Sequence, residues 1–193
     1  MERNIKISLE QAREWYNSGN ESLRELALQT FKENELVEKP WDFIKTFEDA
    51  CRVLNINTDA VYLIFDNRLQ NMYKLKVIKK ALNGIEWEPK PNKGTIYYPW
   101  LRCYPKGSSY DPSWTTIADF KTKDDNKIYT LIGGDYDGYN NGLCGFECEF
   151  GNVYAELGLL DCKSGEIAEY FGKTFGKLIF DTIYGQYNNY TWI

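Results

Sequence analysis

No histidine occurs in this chain. With it go the Ser–His and Cys–His nucleophile pairs, the imidazole general base and every His-liganded metal site. Any catalysis would have to run on Asp, Glu, Cys, Lys, Tyr or a bound group. No recognisable motif of those residues is present, so the expectation is a protein that is not an enzyme and carries no cofactor. Long apolar runs are absent too. No stretch of about 18 apolar residues exists, so neither a spanning helix nor a membrane partner is expected. The opening "MERNIKISLEQ" has no apolar core of a signal peptide. The five cysteines are odd in number and lack the regular spacing of a disulfide framework. Both features predict a reducing, cytoplasmic setting. Positive charge is in deficit, with 23 Lys and Arg against 28 Asp and Glu for a net charge of −5. That argues against a general nucleic-acid binder, which presents a basic surface.

What is present suits a folded core. Hydrophobic residues make up 43% of 193 residues, and 15 Tyr and 6 Trp bring aromatics to 16%, enough apolar material for one domain or two docked modules. Residues 1–84 read as helical. Ser8 with Gln11 fits a capping box ahead of Leu9, Ala12, Trp15 and Tyr16. "NSGN" breaks that helix, and Leu23, Leu26, Ala27, Thr30 and Phe31 mark a second. Thr46 with Asp49 opens a third, and a longer helix runs from about Asp66 to Leu82 and stops at Gly84. From 85 the texture changes to Gly, Pro, Tyr and Trp with period-two alternation. "TIYYPWLRCY" (95–104) is a strand, at an edge or bulged because Pro99 has no N–H for a ladder. "WTTIADF" and "KIYTLIGG" flank the turn "KTKDDN" as a hairpin, and "VYAELGLL" alternates again. Ser164 caps a final amphipathic helix with Ile167, Phe171, Phe175, Leu178, Ile179 and Ile183 as its buried stripe. The expected fold is α+β: a helical N-terminal module (1–84), then an antiparallel β-meander with a closing C-terminal helix packed on it (85–193). The two parts can form one compact unit.

The stretch "GGDYDGYNNGLCGFECEF" (133–150) is the densest local signal. Asp135 and Asp137 resemble the start of a calcium loop, but the required Gly is Asn140 and the closing Glu is Phe146. Cys144 and Cys148, four residues apart on a strand, are separated by about 13 Å, whereas two sulfurs on one zinc sit about 4 Å apart. No metal site is expected. "DG" and "NG" are turn dipeptides, so the stretch reads as a hairpin back from "KIYTLIGG", with its cysteines in the core and residues 135–141 as an exposed loop. Glu147 and Glu149, about 7 Å apart, read as a solvated face rather than paired catalytic carboxylates. "GKT" (172–174) lies inside a helix, where backbone N–H groups are already spent, so it is no phosphate loop. Lys76, Lys79 and Lys80 read as a solvated helix face.

The aromatic set Trp87, Tyr97, Tyr98, Trp100, Tyr104 and Trp114 exceeds what one face of a sheet needs. Tyr and Trp combine apolar area with a polar tip and favour contact surfaces. The candidate binding residues are therefore Trp87, Tyr97, Tyr98, Trp100 and Trp114, with Asp135, Asp137, Tyr139, Asn140 and Asn141 from the loop. Three uses are open: burial beneath the N-terminal helices, contacts to a second copy or another protein, or a site for a small glycan or nucleotide.

Four blocks, "ISLEQAREWYNSGN", "IKTFEDACRVLNI", "GTIYYPWLRCYP" and "CKSGEIAEYFGKTFGKLI", resemble uncharacterised proteins of gut Bacteroidetes and their phages and prophages. The resemblance spans most of the chain. It implies a phage-related accessory protein, cytoplasmic in the host or virion-associated, and it brings no activity and no catalytic residues.

Overall fold

The structure, a computed structural model, describes residues 7–37, 39–88, 96–139, 146–148, 151–153, 160–185 and 189–193. The chain forms two compact units, Met1–Phe43 and Ile44–Ile193, so the division precedes the change of texture at 85. The first unit is helical. Ser8 accepts the N–H of Gln11 at 3.1 Å and starts α1 (Leu9–Asn17). The Asn20 side chain accepts from Ser22 and Leu23 and starts α2 (Glu21–Thr30). A short α3 (Glu33–Leu36) and a 3-10 turn (Pro40–Phe43) follow. Ala12, Ala27 and Leu36 are the buried centre, and Ile7, Trp15, Tyr16 and Phe31 pack around it.

The second unit is α+β. α4 (Phe47–Leu54) opens on the reciprocal Thr46/Asp49 cap, which satisfies two otherwise orphaned N–H groups. After α5 (Asp59–Tyr62), Asp66 caps α6 (Asn67–Asn83). That helix ends at Gly84, whose φ of 90° lies where L side chains rarely go. The strands are β1 (Ile96–Pro105), β2 (Thr115–Thr122), β3 (Ile128–Tyr139), β4 (Phe146–Cys148) and β5 (Gly151–Val153). Helix α7 (Gly165–Tyr184) and strand β6 (Tyr190–Trp192) close the chain. One sheet has the order β1-β3-β2-β6, every pair antiparallel, and β4 and β5 form a hairpin near β1. β2 and β3 are the expected hairpin, but β1 joins beside β3 rather than β2. Pro99 lies on β1 at the sheet's end, and the β1–β3 register slips between Trp100 and Leu101, so the strand is both an edge and bulged.

Two features of "GGDYDGYNNGLCGFECEF" depart from expectation. β3 continues through Asp135, Asp137 and Gly138 to Tyr139, paired with β1 back to Ile96, so "DG" makes no turn and 135–139 are not a loop. A turn dipeptide needs the chain to fold back on itself. Here the long β1 offers a ladder partner to each of residues 135–139 instead, and Gly134, at φ 115°, takes up the extra residue as a bulge. Phe146–Cys148 is a strand, but its partner is Gly151–Val153 and not β3. Asn140, Asn141, Cys144, Glu149 and residues 154–159 lie outside the described residues.

Helix α7 covers one face of the sheet. The contact is made by glycine: Gly172 and Gly176, one turn apart, meet Pro99, Leu101 and Ile117, and Gly133 of β3 faces Gly172. A Cβ on Gly176 would stand 2.5 Å from Ile117 Cδ1, and one on Gly172 3.0 Å from Pro99 Cβ. Each glycine costs the helix about 1 kcal/mol in propensity, and close approach to the sheet offsets it. Ile167, Phe171 and Phe175 are buried on a second flank, roughly 80–160° round the helix by phase, and α6 is the helix packed on α7. Leu178 and Ile183 are only half-buried. "GKT" is mid-helix, with Gly172 serving packing.

Two polar devices lock this core. Asn83 is buried and spends its whole amide: Nδ2 donates to the carbonyls of Lys79 and Asp161, both at 2.9 Å, and Oδ1 accepts the Lys163 N–H at 2.7 Å. It ties the end of α6 to the segment entering α7. At the other end, Asp181 Oδ1 accepts from Tyr190 Oη at 2.6 Å and Trp192 Nε1 at 2.8 Å. Those two rings then pack on Phe120 and Phe180. Burial first, and the bond to Asp181 second, push the Tyr190 hydroxyl above its ordinary pKa.

Candidate functional site

On β1, residues 99 and 101 meet α7, so alternation sends Trp100, Arg102 and Tyr104 to the opposite face. Opposite Arg102 in the ladder is Ile132. The β1–β2 connection folds onto this face through a local turn. Asp111 accepts from the N–H of Ser113 at 2.9 Å and from its hydroxyl at 2.7 Å, and the Trp114 N–H reaches the Asp111 carbonyl at 3.0 Å. Asp followed by Pro is the expected start of such a turn, and it swings Trp114 back over β1.

The result is a stack. The Arg102 guanidinium lies 4.4 Å from the Trp114 ring centroid and 5.1 Å from that of Trp100. Tyr104 lies 6.3 Å from Trp114 and stacks on Tyr110 at 5.9 Å and 23°. The Tyr110 and Thr116 hydroxyls are 2.6 Å apart. All these rings and Arg102 are half-buried. Beside the stack, Lys106 bonds Asp119 at 2.8 Å, and Asp119 also accepts from Thr130 Oγ1 at 2.7 Å. The Lys106 bond, then the Thr130 bond, hold the Asp119 carboxyl below its usual pKa.

Two donor groups in the stack are little used among the described residues. Trp100 Nε1 is buried with no hydrogen-bond partner among the described residues. Arg102 makes one long contact, 3.4 Å to Tyr104 Oη, outside the usual range for N–H···O bonds, and no ion pair among the described residues. Both residues border, with Trp114, Ile132 and Gly133, a packing gap that has no room for a water molecule.

Of the aromatic set singled out from sequence, the fold therefore unites Trp100, Tyr104 and Trp114. Tyr98 is 3% exposed and belongs to the interior. Tyr97 is half-buried, and its backbone bridges to Cys162 (N to O 3.0 Å, O to N 2.7 Å). Trp87 is half-buried just past α6, its N–H on the Gly84 carbonyl. Asp135, Asp137 and Tyr139 sit in β3 opposite Trp100, Tyr98 and Ile96. Sequence reading missed Arg102 and Tyr110. Arg102 was readable, two residues from Trp100 on one face of a strand. Tyr110 joins only because the Asp111–Pro112 turn folds back.

Cys51, Cys103 and Cys162 are buried and form no disulfide among the described residues, and burial raises the Cys51 pKa. Among the described residues, no helix is long and apolar enough to cross a membrane. No family model matches the chain, and no curated protein or solved structure matches it either.

Proposed function

We propose that this chain is a non-enzymatic interaction protein of phage-related context, cytoplasmic or virion-associated, that self-associates through the face carrying Trp100, Arg102, Tyr104, Tyr110 and Trp114. The observation that carries the reading is the Trp–Arg–Trp stack left half-buried on the sheet face away from α7. Trp, Tyr and Arg are the residue types that concentrate binding energy at protein interfaces. The gap between these rings does not admit even a water, which favours a protein surface over a pocket for a small glycan or nucleotide. The resemblance of the four blocks to phage and prophage proteins supports the context.

The test is solution molar mass by light scattering across concentration. The wild type is expected above its 22.6 kDa chain mass. Trp114→Ala, with an unchanged circular dichroism spectrum, is expected to fall back to it. A wild type that stays monomeric at every concentration overturns the self-association reading.

A further inference from the structure

We infer that the β1–β2 connection, residues 107–114, is a strap that lifts from the sheet as a unit and uncovers Trp100 and Arg102. Its backbone is bonded only locally. The Ser108 N–H reaches the Pro105 carbonyl at 3.0 Å, the Trp114 N–H that of Asp111 at 3.0 Å, and the Ser113 N–H the Asp111 carboxylate at 2.9 Å. Among the described residues none of its backbone bonds reaches further along the chain than from Ser108 to Pro105. Ladder bonding ends with the Lys106 N–H on the Ile128 carbonyl and resumes at Thr115, opposite Gly133. Two side chains hold the stretch down. Tyr110 stacks on Tyr104 at 5.9 Å, with its hydroxyl 2.6 Å from that of Thr116. Trp114 lies 4.4 Å from the Arg102 guanidinium and 6.3 Å from Tyr104. Gly107, Ser109, Asp111, Pro112 and Ser113 are exposed. Gly107, at φ 92° with open space where a Cβ would stand, is a pivot at the β1 end. Trp114 moves with the turn, because its N–H is bonded to Asp111. A segment with few buried apolar contacts and an exposed backbone opens well before the rest of its domain.

What lies under the strap favours lifting. Trp100 Nε1 is buried with no hydrogen-bond partner among the described residues, and the gap it borders with Arg102 and Trp114 has no room for a water. A buried donor left unmade counts against the closed arrangement. Moving Trp114 away lets water reach that N–H, so opening recovers part of what the two rings lose by leaving the sheet. The face therefore has a covered and an open arrangement. The inference concerns the chain alone and stands apart from what binds the face.

The experiment is hydrogen exchange on the full chain, followed by NMR at two protein concentrations. The Trp100 indole N–H, assigned by its absence in Trp100→Phe, has no acceptor among the described residues, so its exchange reports access by water. Its rate is expected to be unchanged by low urea. The amides of the central strand β3 around Leu131 are expected to accelerate as urea rises, because only the larger opening exposes much surface. Tyr110→Ala is expected to speed the indole exchange about tenfold or more, through the lost stack and hydroxyl bond. Tyr110→Phe, which keeps the ring, is expected to speed it less, and both should keep the wild-type circular dichroism spectrum. An indole that exchanges only with the Leu131 amides, at their urea dependence, overturns the inference. So does a rate equal in the wild type and both variants. A rate that rises on dilution, alike in wild type and variants, assigns the cover to a second copy and refutes the strap.

Discussion

Asp181 holds β6 against the body of the domain through one oxygen, and removing it should release more than its size suggests. Its Oδ1 takes bonds from Tyr190 Oη and Trp192 Nε1, both from a strand only three residues long. A hydrogen bond to a charged group contributes about 1.5–3 kcal/mol. The two here share an acceptor and are half-exposed, so their joint contribution sits near the value for one, about 2–3 kcal/mol. Asp181→Ala leaves two donors over Phe120 and Phe180 with nothing to bond. At a urea slope of about 2 kcal/mol/M, the midpoint should fall by about 1–1.5 M, followed by Trp fluorescence. Asp181→Asn keeps an oxygen at the same place and exchanges charged bonds for neutral ones, so its cost should be near 1 kcal/mol. Tyr190→Phe combined with Asp181→Ala should cost less than the sum of the two single changes, because they remove the same bond. Hydrogen exchange gives a second readout, since the Lys123 N–H bonds the Asn189 carbonyl and the Ile193 N–H bonds that of Asp119. Both amides should lose protection in Asp181→Ala. If midpoint and protection are unchanged, or Asn costs as much as Ala, Asp181 does not anchor β6.

Two further outcomes follow from the core and the surface charges. Phe175 is 6% exposed on α7, so Phe175→Ala should cost about 3–5 kcal/mol in urea unfolding, and a loss under about 1 kcal/mol would place it outside the core. Asp119 and Asp125 both titrate below their ordinary range. Asp119 is held down first by Lys106 and then by Thr130, and Asp125 falls to about 2 through the Thr122 hydroxyl first and Lys127 next. A depressed folded value gives stability that is whole above the unfolded carboxyl pKa of about 3.9 and drains as pH falls through the folded one. The urea midpoint should therefore decline between about pH 4 and pH 2, less steeply in Asp119→Asn; a flat midpoint across that window contradicts it.

Helix positions were legible because their signals are local. Ser8, Thr46, Asp66 and Ser164 each cap the helix their sequence announces, since a cap needs only its own next three residues. The same holds for the β2–β3 hairpin and for Pro99 at an edge. What failed depended on distant partners. "DG" at 137–138 could be judged only once β1 was known to run beside it. β6 is too short for alternation to show, and its bonds go to β2 and Asp181. On α7, the large residues Leu178 and Ile183 looked like core. The sheet is instead met by Gly172 and Gly176, because the contact favours residues that let the helix come near. At the site, alternation placed Trp100 on one face with Arg102, and attention to aromatics alone left Arg102 out. Tyr98 obeyed the same alternation yet is buried, since period two says which face a residue joins and not whether that face is covered.

The glycine seam between α7 and the sheet also constrains how this chain can change over time. Gly133, Gly172 and Gly176 come from two elements, yet Leu101 Cδ2 lies within 4 Å of the place where each would put a Cβ, and Ile117 Cδ1 does so for two of them. The three positions are thus not free to drift separately. A methyl at Gly176 has room only if Ile117 or Leu101 shrinks first, and once one has shrunk, restoring it becomes the harmful step. Pro99 Cβ, fixed in its ring 3.0 Å from the Gly172 position, offers no such exchange. Lineages carrying this fold should then hold glycine at 172, while 133 and 176 vary only together with 101 and 117. That is a pattern of epistasis set by one side chain's terminal methyl.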